Sequence, residues 1–240
     1  MSLPFQTASP FISMDSNLTF HNYRVPVSRR KLGTLSLYVF FICGGLWNSM
    51  SGYSPILKGL TTVILIAVAL AAFLLTYRLT IRNVGAALAV LLMTFVAEVS
   101  GVNFGFPFGD FAYTNALGPK LLDVPLAIPF LWLGVLIASW SASDRMLRYK
   151  HVIVAAIVAT AFDAVLEFAA DSLDLWHWQG GMPTELNFIS WFAIAYLGLS
   201  LLRIYATEKE TDPIVPHLLI AQLLYFFITD VGIWFFSLQG

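Results

Sequence analysis

Seven apolar runs divide this chain, and they constrain its fold more than anything else in it. They cover roughly 32–51, 60–78, 84–100, 121–141, 151–172, 188–204 and 215–237. Crossing about 30 Å of hydrocarbon takes about 20 predominantly apolar residues in a helix. Lipid offers no partners to backbone N–H and C=O groups, so each span is helical. Composition agrees: the chain is 58% hydrophobic and 11% charged, against about a quarter charged for a soluble domain. The sequence predicts an all-α integral membrane protein, a bundle of about seven transmembrane helices. Residues 1–31 read as a polar cytoplasmic tail and 32–240 as one transmembrane domain.

The cations orient that bundle. Arg24, Arg29, Arg30, Lys31, Arg78, Arg82, Arg145, Arg148, Lys150, Arg203 and Lys209 fall in loops on one side, and Lys58 and Lys120 on the other. An excess of Lys and Arg marks the cytoplasmic side, so the N-terminus is expected in the cytoplasm of a multi-pass cell-membrane protein. Two segments rich in Gly, Pro and aromatics then face outward, "GVNFGFPFGDFAYTNALGPK" over 101–120 and "LDLWHWQGGMPTELN" over 173–187. Interfacial anchoring by Trp and turns at Gly and Pro explain part of this. They do not explain the acids.

Lys and Arg keep to span ends, but several carboxyls do not. Asp163 lies in the middle of the fifth span, followed by Glu167 and Asp171 at four-residue intervals, which share one helix face. Glu98 ends the third span on the same side, and Asp230 lies in the outer half of the seventh. Ionisable groups inside a membrane face a cavity or a partner, and no Lys or Arg sits at matching depth. A carboxyl without a cation in an apolar pocket is suited to donate a proton. Asn103 and Asn187 suit the orienting of a carboxyl or a water, and suit a loop turn just as readily. Asp110, Asp171 and Asp174, near the interface, read at least as well as cap or hydrogen-bonding residues, and His177 as an interfacial side chain.

Several chemistries drop out. Asp171 and Asp174 form a lone DxxD, without the further acids and cations that a diphosphate and its magnesium need. The seventh span has no lysine for a retinal Schiff base. The four histidines are scattered and Cys43 is the one cysteine, so no metal spacing or disulfide arises. Phosphate loops and nucleic-acid patches are absent from the sequence. No cofactor is expected.

The residues also resemble a known family. Glu98, Gly101, Gly105, Pro107, Phe108, Gly109 and Tyr113 in order, then "LGP" at 117–119 and "VPLAIPFLW" at 124–132, are similar to the integral membrane hydratases of carotenoid biosynthesis. These include the γ-carotene 1′,2′-hydratases and bisanhydrobacterioruberin hydratases. The similarity continues through Asp163 and "EFAADSLDLWHWQGGMPTELNFISW" at 167–191 and covers roughly residues 84–195. This chain carries Phe168 where the family has a proline, one extra residue between Pro183 and Asn187, and Ser190 for the glycine before Trp191.

The resemblance implies hydration of the terminal ψ-end double bond of a linear or monocyclic carotenoid, giving a tertiary alcohol without a redox cofactor. Either Glu98 or Asp163 would protonate the alkene, with Glu167 or Asp171 as the partner carboxylate. Phe108, Tyr113, Trp176 and Trp178 would shelter the cation, with Asn103, Asn187, Trp191 and Asp230 also toward substrate. The partners implied are an apolar polyene, water and the bilayer. A membrane lycopene-type cyclase protonates the same end but captures the cation with a second double bond. A carotenoid-binding or proton-relay bundle would leave the polyene unchanged.

Overall fold

A computed structural model of the chain describes residues 27–51, 55–148, 150–207 and 211–238. It contains the seven expected helices: α1 Val27–Ser51, α2 Pro55–Thr76, α3 Ile81–Phe104, α4 Ala127–Arg145, α5 Val152–Ser172, α6 Glu185–Tyr205 and α7 Val215–Ser237. Six of them are long and apolar enough to cross a membrane, and α2 adds an apolar run over Leu60–Thr76. The protein is an all-α integral membrane bundle. Residues 1–26 of the expected tail lie outside the described residues, and α1 begins within that tail, at Val27.

Helix ends follow local chemistry. The Thr80 and Thr184 hydroxyls accept the amides of Asn83 and Asn187, which starts α3 and α6. Gly105, with a left-handed φ of 68°, stops α3. That helix runs a turn past the expected end at 100, so Gly101 is helical rather than part of the loop. The fourth span starts later than expected, at Ala127 instead of 121. Residues before it form a short hairpin, β2 Lys120–Leu121 against β3 Val124–Pro125, turning through Leu122 and Asp123, both at positive φ.

Nearly every residue of α4 is buried, and it packs against α2, α3, α5 and α7. Close approach on the α2 side needs small residues: a Cβ on Gly134 would sit 3.1 Å from the Ala69 Cα. Around this axis α3 packs on α6 and α6 on α5, while α1 rests on α7. At the basic end, the Arg82 guanidinium donates to the Tyr205 and Ile204 carbonyls at 2.6 and 3.2 Å and so caps the C-terminus of α6. The long loops after α3 and α5 gather at the opposite end.

Candidate active site

Those two loops are joined. Strand β1, Phe111–Tyr113, pairs antiparallel with β4, Trp176–Trp178, with Phe111 opposite Trp178 and Tyr113 opposite Trp176. Side chains alternate along a strand. Phe111, Tyr113, Trp176 and Trp178 therefore share the face toward the bundle, and Ala112 and His177 take the other. The ribbon is fastened at both ends, by Gln179 N–H to the Asp110 carbonyl at 3.0 Å and Thr114 N–H to the Leu175 carbonyl at 3.0 Å. Lys120 Nζ donates to the Tyr113 carbonyl at 2.6 Å.

Under this ribbon lies a cavity of about 20 Å³, room for about one water. Glu98 from α3 and Asp163 and Glu167 from α5 line it, and all three are buried. Tyr113 Oη donates to Glu98 Oε2 at 2.8 Å. Glu167 Oε2 accepts both indoles, Trp176 Nε1 at 3.0 Å and Trp178 Nε1 at 2.8 Å. Asn187 Nδ2 bridges the other two acids, 3.2 Å from Glu167 Oε1 and 3.3 Å from Asp163 Oδ2. Every one of these donors is neutral, and no Lys or Arg lines the cavity. Burial, reinforced by Glu98, pushes the Tyr113 phenol well above its ordinary value of 10, so it stays a donor.

Aromatic faces form the remaining wall. Trp191 stacks between Trp132 and Phe108, with ring centroids 3.6 and 4.8 Å away, both interplanar angles being 16°. Phe108 reaches this stack because Gly101 has no side chain; a Cβ there would lie 2.5 Å from Phe108 Cδ2. Ser190 Oγ donates to the Pro107 carbonyl at 2.9 Å and ties the same loop to α6.

Of the residues singled out from sequence, the structure gathers Glu98, Phe108, Tyr113, Asp163, Glu167, Trp176, Trp178, Asn187 and Trp191 around the one cavity. It places Asp171, Asn103 and Asp230 elsewhere. Asp171 is exposed and bonds His177 Nδ1 at 2.7 Å. Each four-residue step on a helix drifts about 40°, so by the second step the acidic stripe has turned from the cavity to the surface. Asn103 donates to the Val99 carbonyl at 2.9 Å, and Asp230 accepts from Ser172 Oγ at 3.4 Å on α7. His177 also meets Asp174, at 3.1 Å from Nε2. The hydrogen bond it donates to Asp171, then that to Asp174, raises the imidazole above its ordinary 6.5.

The family model described as carotenoid biosynthesis protein matches residues 59–238, which include every residue of this cavity. The chain belongs to that family. A curated relative, the bisanhydrobacterioruberin hydratase of Haloarcula japonica, is 27% identical over 125 residues, 46% of this chain. The match spans 41% of that relative's own length. No solved structure matches the chain.

Trp132, Phe111, Ile128, Leu131 and Leu166 line the cavity and were not singled out from sequence. The signal for Trp132 was a tryptophan inside a span, away from the interface that Trp prefers. The aliphatic residues carry no such signal, since any span is full of them.

Proposed function

We propose that this protein adds water to the terminal ψ-end double bond of a linear or monocyclic carotenoid. The observation that carries the reading is a cluster of three buried carboxyls, served only by neutral donors, around room for one water and a stack of aromatic faces. A carboxylic acid protonates the terminal alkene at its less substituted carbon, leaving a tertiary cation. Water attacks that cation, and its surplus proton passes to a carboxylate of the cluster and on to the donor that gave its own, so the enzyme ends as it began and the product gains one water. Proton donation by a positioned acid needs no cofactor.

The hydrogen bonds support a division of roles. Glu167 gathers three donors, an arrangement that suits the ionised partner able to hold the water and face the cation. Glu98 and Asp163 supply the proton donor, one from each side of the cavity. Phe108, Trp132 and Trp191 offer π faces to the developing charge. The cation distribution supports a cytoplasmic N-terminus, with the carboxyl cluster toward the outer leaflet.

The cavity has room for about one water, the co-substrate that hydration needs and ring closure does not. The test is expression in cells that accumulate lycopene or γ-carotene, with mass analysis of the extracted pigments. A tertiary alcohol heavier by one water supports hydration, and new rings at unchanged mass refute it. Glu98→Gln and Asp163→Asn should each leave a folded protein; the one that abolishes product identifies the donor.

A further inference from the structure

The carboxyl cavity is too small for an isoprenoid end, let alone the rest of a polyene. A second cavity lies beside it, about 380 Å³ in volume, within the range of pockets that take small-molecule ligands. Ile128, Leu131, Leu166 and Trp176 line both cavities, so the two are separated by a wall one side chain thick. We propose that this second cavity is the seat of the polyene rod, reached from the lipid between α1 and α2. The inference rests on the hydratase reading of the carboxyl cluster.

The packing leaves that side open. Among the described residues α1 leans on α7 and α2 on α4, while α1 and α2 hardly touch. Phe40, Cys43 and Trp47 on α1 and Leu60 on α2 line the cavity yet are exposed. They mark its mouth. Cys43 stands eight residues before the end of α1 at Ser51, about 12 Å at 1.5 Å per residue, so the mouth opens within the hydrocarbon layer. A ligand arriving there leaves lipid without crossing water.

The walls favour a stiff, flat chain. Phe41, Trp176, Tyr225 and Phe226 present rigid rings, and behind them stands the buried α4. A conjugated rod loses little rotational freedom on entering such a slot, whereas a saturated acyl chain loses much. Water is excluded along the rod and admitted only at the carboxyl end. The terminal double bond comes up to the shared wall at Leu131 and Leu166, whose side chains must swing aside for it to meet the carboxyls, while the conjugated segment stays in the cleft.

The test is titration of the purified protein in detergent with lycopene, read as induced circular dichroism in the polyene's visible band. Asp163→Asn should bind like the wild type, because the cleft does not need the chemistry. Ile64→Trp and Cys43→Trp, which fill the cleft from α2 and α1, should weaken binding about tenfold or more. Ile64→Ala, which only widens it, should stay close to the wild type and shows that substitution there is tolerated. Wild type without a saturable signal, Trp variants that bind as well as the wild type, or equal displacement by phosphatidylcholine would each overturn the cleft while leaving the carboxyl chemistry standing. Cleft-dependent binding of a polyene that is never hydrated would preserve the cleft and sink the hydratase reading.

Discussion

Glu167 offers the sharpest check on the site, because its two oxygens have different work. Oε2 holds the indoles of Trp176 and Trp178, and Oε1 holds the amide of Asn187. In Glu167→Ala both indoles lose their acceptor, at about 1–3 kcal/mol for each stranded buried donor. The sum is about 2–6 kcal/mol, while Asn187 keeps its bond to Asp163. In Glu167→Gln the amide oxygen can take the Oε2 position and keep both indoles. The new amide N–H then faces Asn187 Nδ2, donor against donor, which costs about 1–3 kcal/mol less whatever rotation of the Asn187 amide recovers. A chain of this size loses about 2–4 °C of midpoint per kcal/mol. Thermal unfolding in detergent, followed by tryptophan near-ultraviolet dichroism, should therefore place the Ala variant about 4–24 °C below the wild type, with the Gln variant much nearer. Both should lose hydration if the carboxylate itself holds water or cation. Equal midpoints for the two variants would refute the claim that Glu167 fastens the ribbon, and a fully active Gln variant would remove it from the chemistry.

Tyr113→Phe removes the hydroxyl donor to Glu98 and should cost about 0.5–1.5 kcal/mol of stability; pigment analysis should show turnover lowered but not abolished. Gly101→Ala drives a methyl into Phe108, so a loss of about 1–3 kcal/mol is expected, together with a changed tryptophan dichroism from the Phe108–Trp191–Trp132 stack. His177 should titrate above its ordinary 6.5 by NMR and return toward it in Asp171→Asn/Asp174→Asn. Because its folded value is raised, its contribution to holding the ribbon is complete below 6.5 and is lost as the pH climbs through the raised value. A His177 midpoint that ignores both substitutions would refute the pairing.

The helices were legible because lipid forces the pattern: an apolar run of about 20 residues can satisfy its own backbone there only as a helix. The acids were legible for the same reason, since Asp163 and Glu98 stand out only against an apolar background. What periodicity could not give was rotation. Asp171 continues the acidic spacing and yet faces out, because three positions four apart make a stripe that winds, and only packing fixes which part meets the cavity. Asn103 and Asp230 failed to join the site for a related reason: depth along a span says nothing about azimuth around the bundle. The β1–β4 ribbon was hidden too. Its strands are three residues each and lie more than sixty residues apart in sequence, and both read as loops full of turn formers. The ribbon nonetheless turns four aromatic side chains toward the carboxyls and sends His177 away from them.

The choice of donors around the carboxyls argues for chemistry over mere stability. A buried acid needs partners, and an arginine or lysine would be the strongest. It would also fix the acid in its ionised form and spoil it as a proton donor. Here the partners are a phenol, two indoles and a carboxamide, with Asn187 serving two acids at once. Such donors hold the carboxyl oxygens in place while leaving the cluster free to carry a proton, give it up and take it back. A cluster built for stability alone would lose little by replacing Asp163 with a leucine and Asn187 with an alanine together, since removing both members of that pair strands neither and only Glu167 Oε1 gives up a donor. The pair is therefore the place to separate the two accounts. If the double variant is as stable as the wild type or more so and makes no product, the acids are kept for what they do to substrate. If it loses both stability and product by the same measure as a disordered ribbon does, they are kept for what they hold together.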